Sequence, residues 1–109
     1  MKPNFDPTLE LTHNGTRVEA KGPLDWETAE GHCRVEATIV QGAPGAQVRA
    51  VGRSGNYDES KTVWDAHADT NGGALQPGGA TALGVLTLET DDGDVFVITW
   101  PQQVELQSA

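Results

Sequence analysis

The sequence predicts an all-β domain in which two antiparallel sheets of short strands pack face to face as a sandwich. Three observations predict it. Thirteen glycines and six prolines punctuate 109 residues, breaking the chain into runs of about 5–6 residues rich in Val, Thr, Ile and Leu. No stretch longer than about ten residues carries helical periodicity. Two candidate hairpins each place their apolar residues on a single face, so turn chemistry and burial pattern agree, as they do in a specified fold. The length fits a single domain over residues 1–109. A domain of this size buries roughly two thirds of its unfolded surface and can fold without metal or disulfide help.

Residues 1–7, Met1 to Pro7, read as a flexible lead. Leu9-Glu10-Leu11-Thr12-His13 then runs into Asn14-Gly15 and returns as Thr16-Arg17-Val18-Glu19-Ala20. Asn-Gly is the strongest two-residue hairpin signal because both central residues take positive φ. A loop of that length sets His13 opposite Thr16, Leu11 opposite Val18 and Leu9 opposite Ala20, with all four apolar residues on one face. Pro23 to Glu30 reads as a loop or as one helical turn capped by Asp25.

Cys33, Val35, Ala37 and Ile39 alternate with Arg34, Glu36 and Thr38, the pattern of a half-buried strand. The Gln41 to Gly45 segment turns the chain and Gln47 to Val51 returns it. Thr62 to Asp69 places Trp64, Ala66 and Ala68 on one face and Asp65, His67 and Asp69 on the other. Asn71 to Ala82 is rich in Gly and Pro and reads as a loop.

The second hairpin joins Val85–Thr90 to Asp94–Trp100. A two-residue Asp92-Gly93 loop mixes the faces. A three-residue Asp91-Asp92-Gly93 loop sets Leu88 opposite Phe96 and Leu86 opposite Ile98, with Trp100 in phase, and a slip of one residue flips every side chain. That face is expected to form one wall of the core. Pro101 is expected to bend the chain or move it to another sheet before a short last strand at Gln103–Leu106. With about seven or eight strands, the chain resembles the immunoglobulin-like sandwich in count and size. The Cys…Trp…Cys spacing of that family is absent, so the resemblance is one of layout and implies no function.

Sixteen acidic side chains oppose seven basic ones, for a formal charge of −9. The basic residues are scattered. Binding to nucleic acid or to an anionic membrane is therefore disfavoured, because both need clustered Lys and Arg. No segment has the length and apolarity of a spanning helix or the apolar run of a signal peptide. The lone Cys33 forms no internal disulfide, which suits a reducing compartment. A cytoplasmic protein is the expectation.

No catalytic set stands out. None of the serines lies in a Gly-x-Ser-x-Gly elbow, and no phosphate-binding loop is present. Cys33 is in phase with the apolar side of its strand and His32 is not, so Cys33 reads as a small buried apolar residue. Asp91-Asp92-Gly93-Asp94 lacks the ligand spacing of a calcium loop and reads as a turn. Asp65, His67 and Asp69 share a strand face at spacings of about 7 Å, and carboxylate and imidazole are ligand types for zinc or a similar ion. Trp26 and Tyr57 fall in predicted loops. With Arg53 and Asn56 they make the candidate contact surface, since exposed aromatics anchor interfaces.

The leading expectation is a non-enzymatic accessory, adaptor or structural domain. It would bind a protein partner or copies of itself and need no cofactor. Two alternatives are a metal-binding domain or small metal-dependent hydrolase built on Asp65, His67 and Asp69, and a carbohydrate-binding module using Trp26 and Tyr57.

Overall fold

The computed structural model describes residues 1–109. In chain order the strands are β1 (Lys2–Pro3), β2 (Thr8–Thr12), β3 (Arg17–Asp25), β4 (Gly31–Gln41), β5 (Val48–Arg53), β6 (Tyr57–Asp58), β7 (Val63–Thr70), β8 (Gly78–Thr90) and β9 (Val95–Ser108), with one short 3-10 turn at His13–Gly15. The all-β expectation holds.

The two-sheet antiparallel sandwich does not hold. The pairings run β3–β2–β9–β8–β4–β5–β7, and β7 pairs back onto β3. Seven strands thus close into a barrel, with β1 added beside the end of β3 and β6 beside the start of β4. Closure depends on β3. Its first residues pair with β2 through Glu10↔Glu19 to Thr12↔Arg17, while its other edge pairs with β7 from Arg17↔Asp69 to Pro23↔Val63. One junction is parallel, β2 against β9 from Thr8↔Glu105 to Leu11↔Ser108. Period-two burial follows from any sheet with one covered face, so alternation does not separate a sandwich from a closed barrel.

Both hairpin registers are as the sequence predicts. In the first, Leu11 faces Val18. Asn14 (φ 56°) and Gly15 (φ 84°) take the positive angles that the turn requires, and Thr16 N donates to His13 O at 3.2 Å. His13 itself adopts φ 55°, so ladder pairing stops at Thr12. In the second, Leu88 faces Phe96 and Leu86 faces Ile98. Gly93 has φ 89°, and its N–H donates to Thr90 O at 2.9 Å.

Four local expectations change. The loop after β7 is shorter than Asn71–Ala82, because Gly78 to Ala82 open β8 by pairing with Leu106 to Gln102. Cross-strand hydrogen bonds there override the poor strand propensity of glycine. Pro101 does not break its strand, and β9 runs through it from Val95 to Ser108. Residues 1–7 are not a free lead. Lys2 and Pro3 pair with Asp25 and Leu24, and Asn4 N and Asp6 N donate to Pro23 O and Lys21 O. Pro23 to Glu30 splits between the end of β3 and a turn in which Ala29 N donates to Trp26 O at 2.8 Å and Asp25 Oδ1 accepts from Glu27 N at 3.0 Å.

The core gathers the inward residues of all the long strands, among them Leu9, Val18, Val35, Ile39, Trp64, Leu86 and Leu106. No charged side chain is buried. Buried Phe5 packs edge-to-face with Trp64 (5.2 Å between ring centroids, 75° between planes) and at a tilt against Trp100 (5.3 Å), which ties the N-terminal segment to β7 and β9. Trp64 Nε1 donates to Asn4 O at 2.8 Å, and Gln102 exchanges two hydrogen bonds with the Phe5 backbone at 2.9 and 3.1 Å. Trp100 Nε1 is the one buried side-chain polar atom left without a partner.

Candidate functional site

Strand β9 has two neighbours over only part of its length. It pairs with β8 from Val95↔Glu89 to Leu106↔Gly78, but with β2 only from Glu105 onward. The edge from Val95 to Pro101 that faces away from β8 is therefore unpaired. Hydrogen bonding fixes which groups it presents. Thr90 N donates to Asp94 O, so Asp94 and every second residue after it face β8, while Glu105 N donates to Pro7 O on the opposite side. In an antiparallel ladder this phase points the backbone N–H and C=O of Val95, Val97 and Thr99 outward. Pro101 falls in the same outward phase, where its missing N–H costs no ladder bond. Proline within a strand is found on edges for this reason.

The side chains along this edge are apolar on both faces. Val95 is 61% exposed, Phe96 52% and Val97 62%. Phe96 was expected to line the core with Leu86 and Leu88. Those two are buried and Phe96 is not, because no second neighbour covers β9 at that level. Ile98 and Trp100 are partly buried against the core. A bare, extended edge with exposed apolar residues is a template for adding a further strand, and proteins normally blunt such edges with charge, bulges or proline. Here Asp94 and Pro101 flank the run and no charged residue lies between them.

The contact surface expected around Trp26, Arg53, Asn56 and Tyr57 is not formed as foreseen. Trp26 is 7% exposed and its Nε1 donates to Lys61 O at 2.6 Å. Tyr57 is 9% exposed. Its hydroxyl lies 3.1 Å from Asp65 Oδ1 and 3.2 Å from Asp65 O, and accepts from Asp65 N at 3.1 Å. Both aromatics belong to the core: Trp26 follows directly on the last residue of β3 and points inward from the turn there, and Tyr57 lies on β6 in a segment read as a loop. Arg53 and Asn56 are exposed, and Arg53 Nε meets Glu36 Oε2 at 2.9 Å.

Asp65, His67 and Asp69 do share the outward face of β7, as their alternation predicts. Each faces a charged residue on β3: Lys21, Glu19 and Arg17. Arg17 Nε sits 2.7 Å from Asp69 Oδ1, and His67 Nδ1 sits 2.5 Å from Glu19 Oε2. The other Glu19 oxygen accepts from Thr12 Oγ1, which is 2.9 Å from His13 Nδ1. The three residues are engaged sideways with neighbouring side chains, and no group of three His, Cys, Asp or Glu is gathered where a metal ion could be held. The expected ligand set therefore lacks the convergence that coordination needs.

The Arg17 guanidinium, mainly through its hydrogen bond, holds the Asp69 carboxyl below its ordinary value, and the Arg17 pKa is raised in return. Asp58 is likewise lowered by hydrogen bonds from Ser60. Burial raises the Tyr57 hydroxyl and pushes the Cys33 thiol up to about 11. These shifts belong to core packing and surface pairing; none falls in a cleft between an acid and a base.

The edge at Val95–Val97 was legible from one signal. Val95-Phe96-Val97-Ile98-Thr99-Trp100 is apolar in both phases apart from Thr99, whereas a strand with one wet face alternates. Phe96, Ile98 and Trp100 satisfy the core reading, which leaves Val95 and Val97 unexplained by it.

No helix is long and apolar enough to cross a membrane. No protein-family model matches the chain. No curated protein matches it. Among solved structures, one described as the structure of murine CRIg is similar over 99% of this chain and 97% of that chain, at 13% identity and a TM-score of 0.46.

Proposed function

We propose that this chain is a non-enzymatic domain that acts through protein–protein contact, as an accessory, adaptor or structural component, and that the contact is made by strand addition along β9. One observation carries the reading: Val95, Val97 and Thr99 aim backbone donors and acceptors at open space beside exposed apolar side chains. In strand addition, main-chain hydrogen bonds supply affinity and alternate side chains supply specificity. The formal charge of −9 supports a protein partner over nucleic acid. The lone, buried Cys33 supports a reducing, cytoplasmic setting.

The test immobilises the wild-type chain and the Val97→Lys variant side by side and compares the proteins each retains from host extract. Val97 packs on nothing in the core, so the variant keeps the fold and places a charge on the edge. The expected result is a protein retained by the wild type and lost by Val97→Lys. Identical retention by the two would refute the edge as the contact site.

A further inference from the structure

We infer that the strand added to β9 is β9 of a second copy, running antiparallel about a two-fold axis beside Val97. The inference rests on the edge-contact reading above and names its partner.

The backbone phase comes first. Opposed residues in a hydrogen-bonded antiparallel pair exchange both N–H···O bonds. With the axis at Val97, each Val95 meets Thr99 of the second copy and Val97 meets its own counterpart. The outward backbone groups of Val95, Val97 and Thr99 on each chain are thereby satisfied, and none that already bonds to β8 is disturbed. Pro101 lies beyond the last such pair, so its lack of an N–H leaves no gap.

Side chains match in the same register. On the inner face, Phe96 lies opposite Ile98 of the second copy, which covers the aromatic ring that the barrel leaves 52% exposed. On the outer face, Val95, Val97 and Thr99 make a row of β-branched pairs, the kind that stabilises neighbouring strands. An unrelated strand would have to bring the same uncharged, doubly apolar pattern. A second copy brings it by symmetry, since a two-fold interface is one self-complementary patch used twice.

Charge selects the direction. Asp91, Asp92 and Asp94 crowd one end of the edge, and none of them has a basic partner within ion-pair distance. Parallel addition would set these acids side by side. Antiparallel addition sends them to opposite ends, with the two Asp94 residues about 20 Å apart by strand rise. That separation exceeds two screening lengths of about 8 Å at physiological salt. The remaining obstacle is overall repulsion between two chains of charge −9, and salt weakens it. Salt should therefore strengthen this association, the reverse of its effect on a contact made by ion pairs.

The experiment is sedimentation of the untagged chain from ~10 µM to ~1 mM, a range suited to an interface at the small end of known sizes. Wild type, Val97→Lys and Val95→Lys are compared, each checked for an unchanged circular dichroism spectrum. The expected result is a mass that climbs from 11.5 kDa toward twice that value for wild type, climbs further with added salt, and stays monomeric for both variants. Amide exchange read by NMR should show protection at Val95, Val97 and Thr99 that grows with concentration. A wild type that stays monomeric throughout would overturn the inference, as would self-association that neither lysine reduces. A monomeric wild type that still retains a host protein through Val97 would overturn the second copy and leave the edge-contact reading standing. Failure of both assays would remove both.

Discussion

Gly84→Ala is a direct test of the packing that holds β9 to the core. Gly84 on β8 lies opposite Trp100 on β9, and the indole rests on the glycine backbone. A Cβ at Gly84 would lie 2.3 Å from Trp100 Cζ2 and 2.4 Å from Cη2. Carbon atoms pack best at about 3.5–4.0 Å, so the ring must withdraw by more than about 1 Å. It has little room, with the rings of Phe5 and Trp64 centred 5.3 and 6.3 Å away. Overpacking of this kind costs about 1–3 kcal/mol, while alanine in place of glycine in a strand returns about 0.5–1 kcal/mol. The net expectation is a loss of about 1–2 kcal/mol, or about 5–10 °C in Tm for a domain of this size. Thermal and urea unfolding followed by circular dichroism measure it, and tryptophan emission reports the displaced ring. Gly79→Ala is the control, since it sits on the same strand and its Cβ would meet nothing within 4 Å. Equal stability of the two variants would refute the packing argument. In the double variant Gly84→Ala/Trp100→Phe the smaller ring should recover part of the loss, giving a coupling that two independent sites would not show.

Other expectations follow from the buried and paired groups. Tyr57→Phe removes the hydroxyl that engages Asp65 at three atoms and should cost about 1–2 kcal/mol in urea unfolding; no change would mean that solvent replaces those bonds without loss. Cys33, with its thiol raised to about 11 by burial, should resist thiol reagents at mildly alkaline pH in the folded chain and react at once in denaturant, since the thiolate is the nucleophile. The Asp69 and Asp58 carboxyls have folded values below the ordinary 3.8. Their contribution is complete above that value and lost as pH falls through the folded one. Stability should therefore decline on the acid side, and Asp69→Asn should flatten that limb at low salt more than at high salt, because the Arg17–Asp69 pair is exposed and screened.

Much of the local structure could be read directly from the residues. Asn14-Gly15 and Asp91-Asp92-Gly93 specified their turns, and in both hairpins the alternation of Leu with polar neighbours then allowed one register. Cys33, Val35, Ala37 and Ile39 lie inward as their phase requires. The candidate site was less legible. Trp26 and Tyr57 stand among turn residues in the sequence, yet both are buried, Trp26 from the turn just after β3 and Tyr57 from β6. Asp65, His67 and Asp69 share a face as expected, but the residues that engage Asp69 and His67, Arg17 and Glu19, come from a strand about fifty positions earlier in the chain.

Turn type and strand phase arise from φ/ψ preferences and from which side chains leave water, interactions that span a few residues and so are determined by the sequence read locally. Whether β7 returns to β3 to close a barrel, and whether β9 has one neighbour or two beside Phe96, depend on strands far apart in the chain meeting in space. The same period-two pattern serves a sandwich, a barrel and an open edge equally well. Only the tertiary pairing decided that β2 joins β9 no earlier than Glu105, leaving Val95 to Thr99 with backbone groups still to be satisfied.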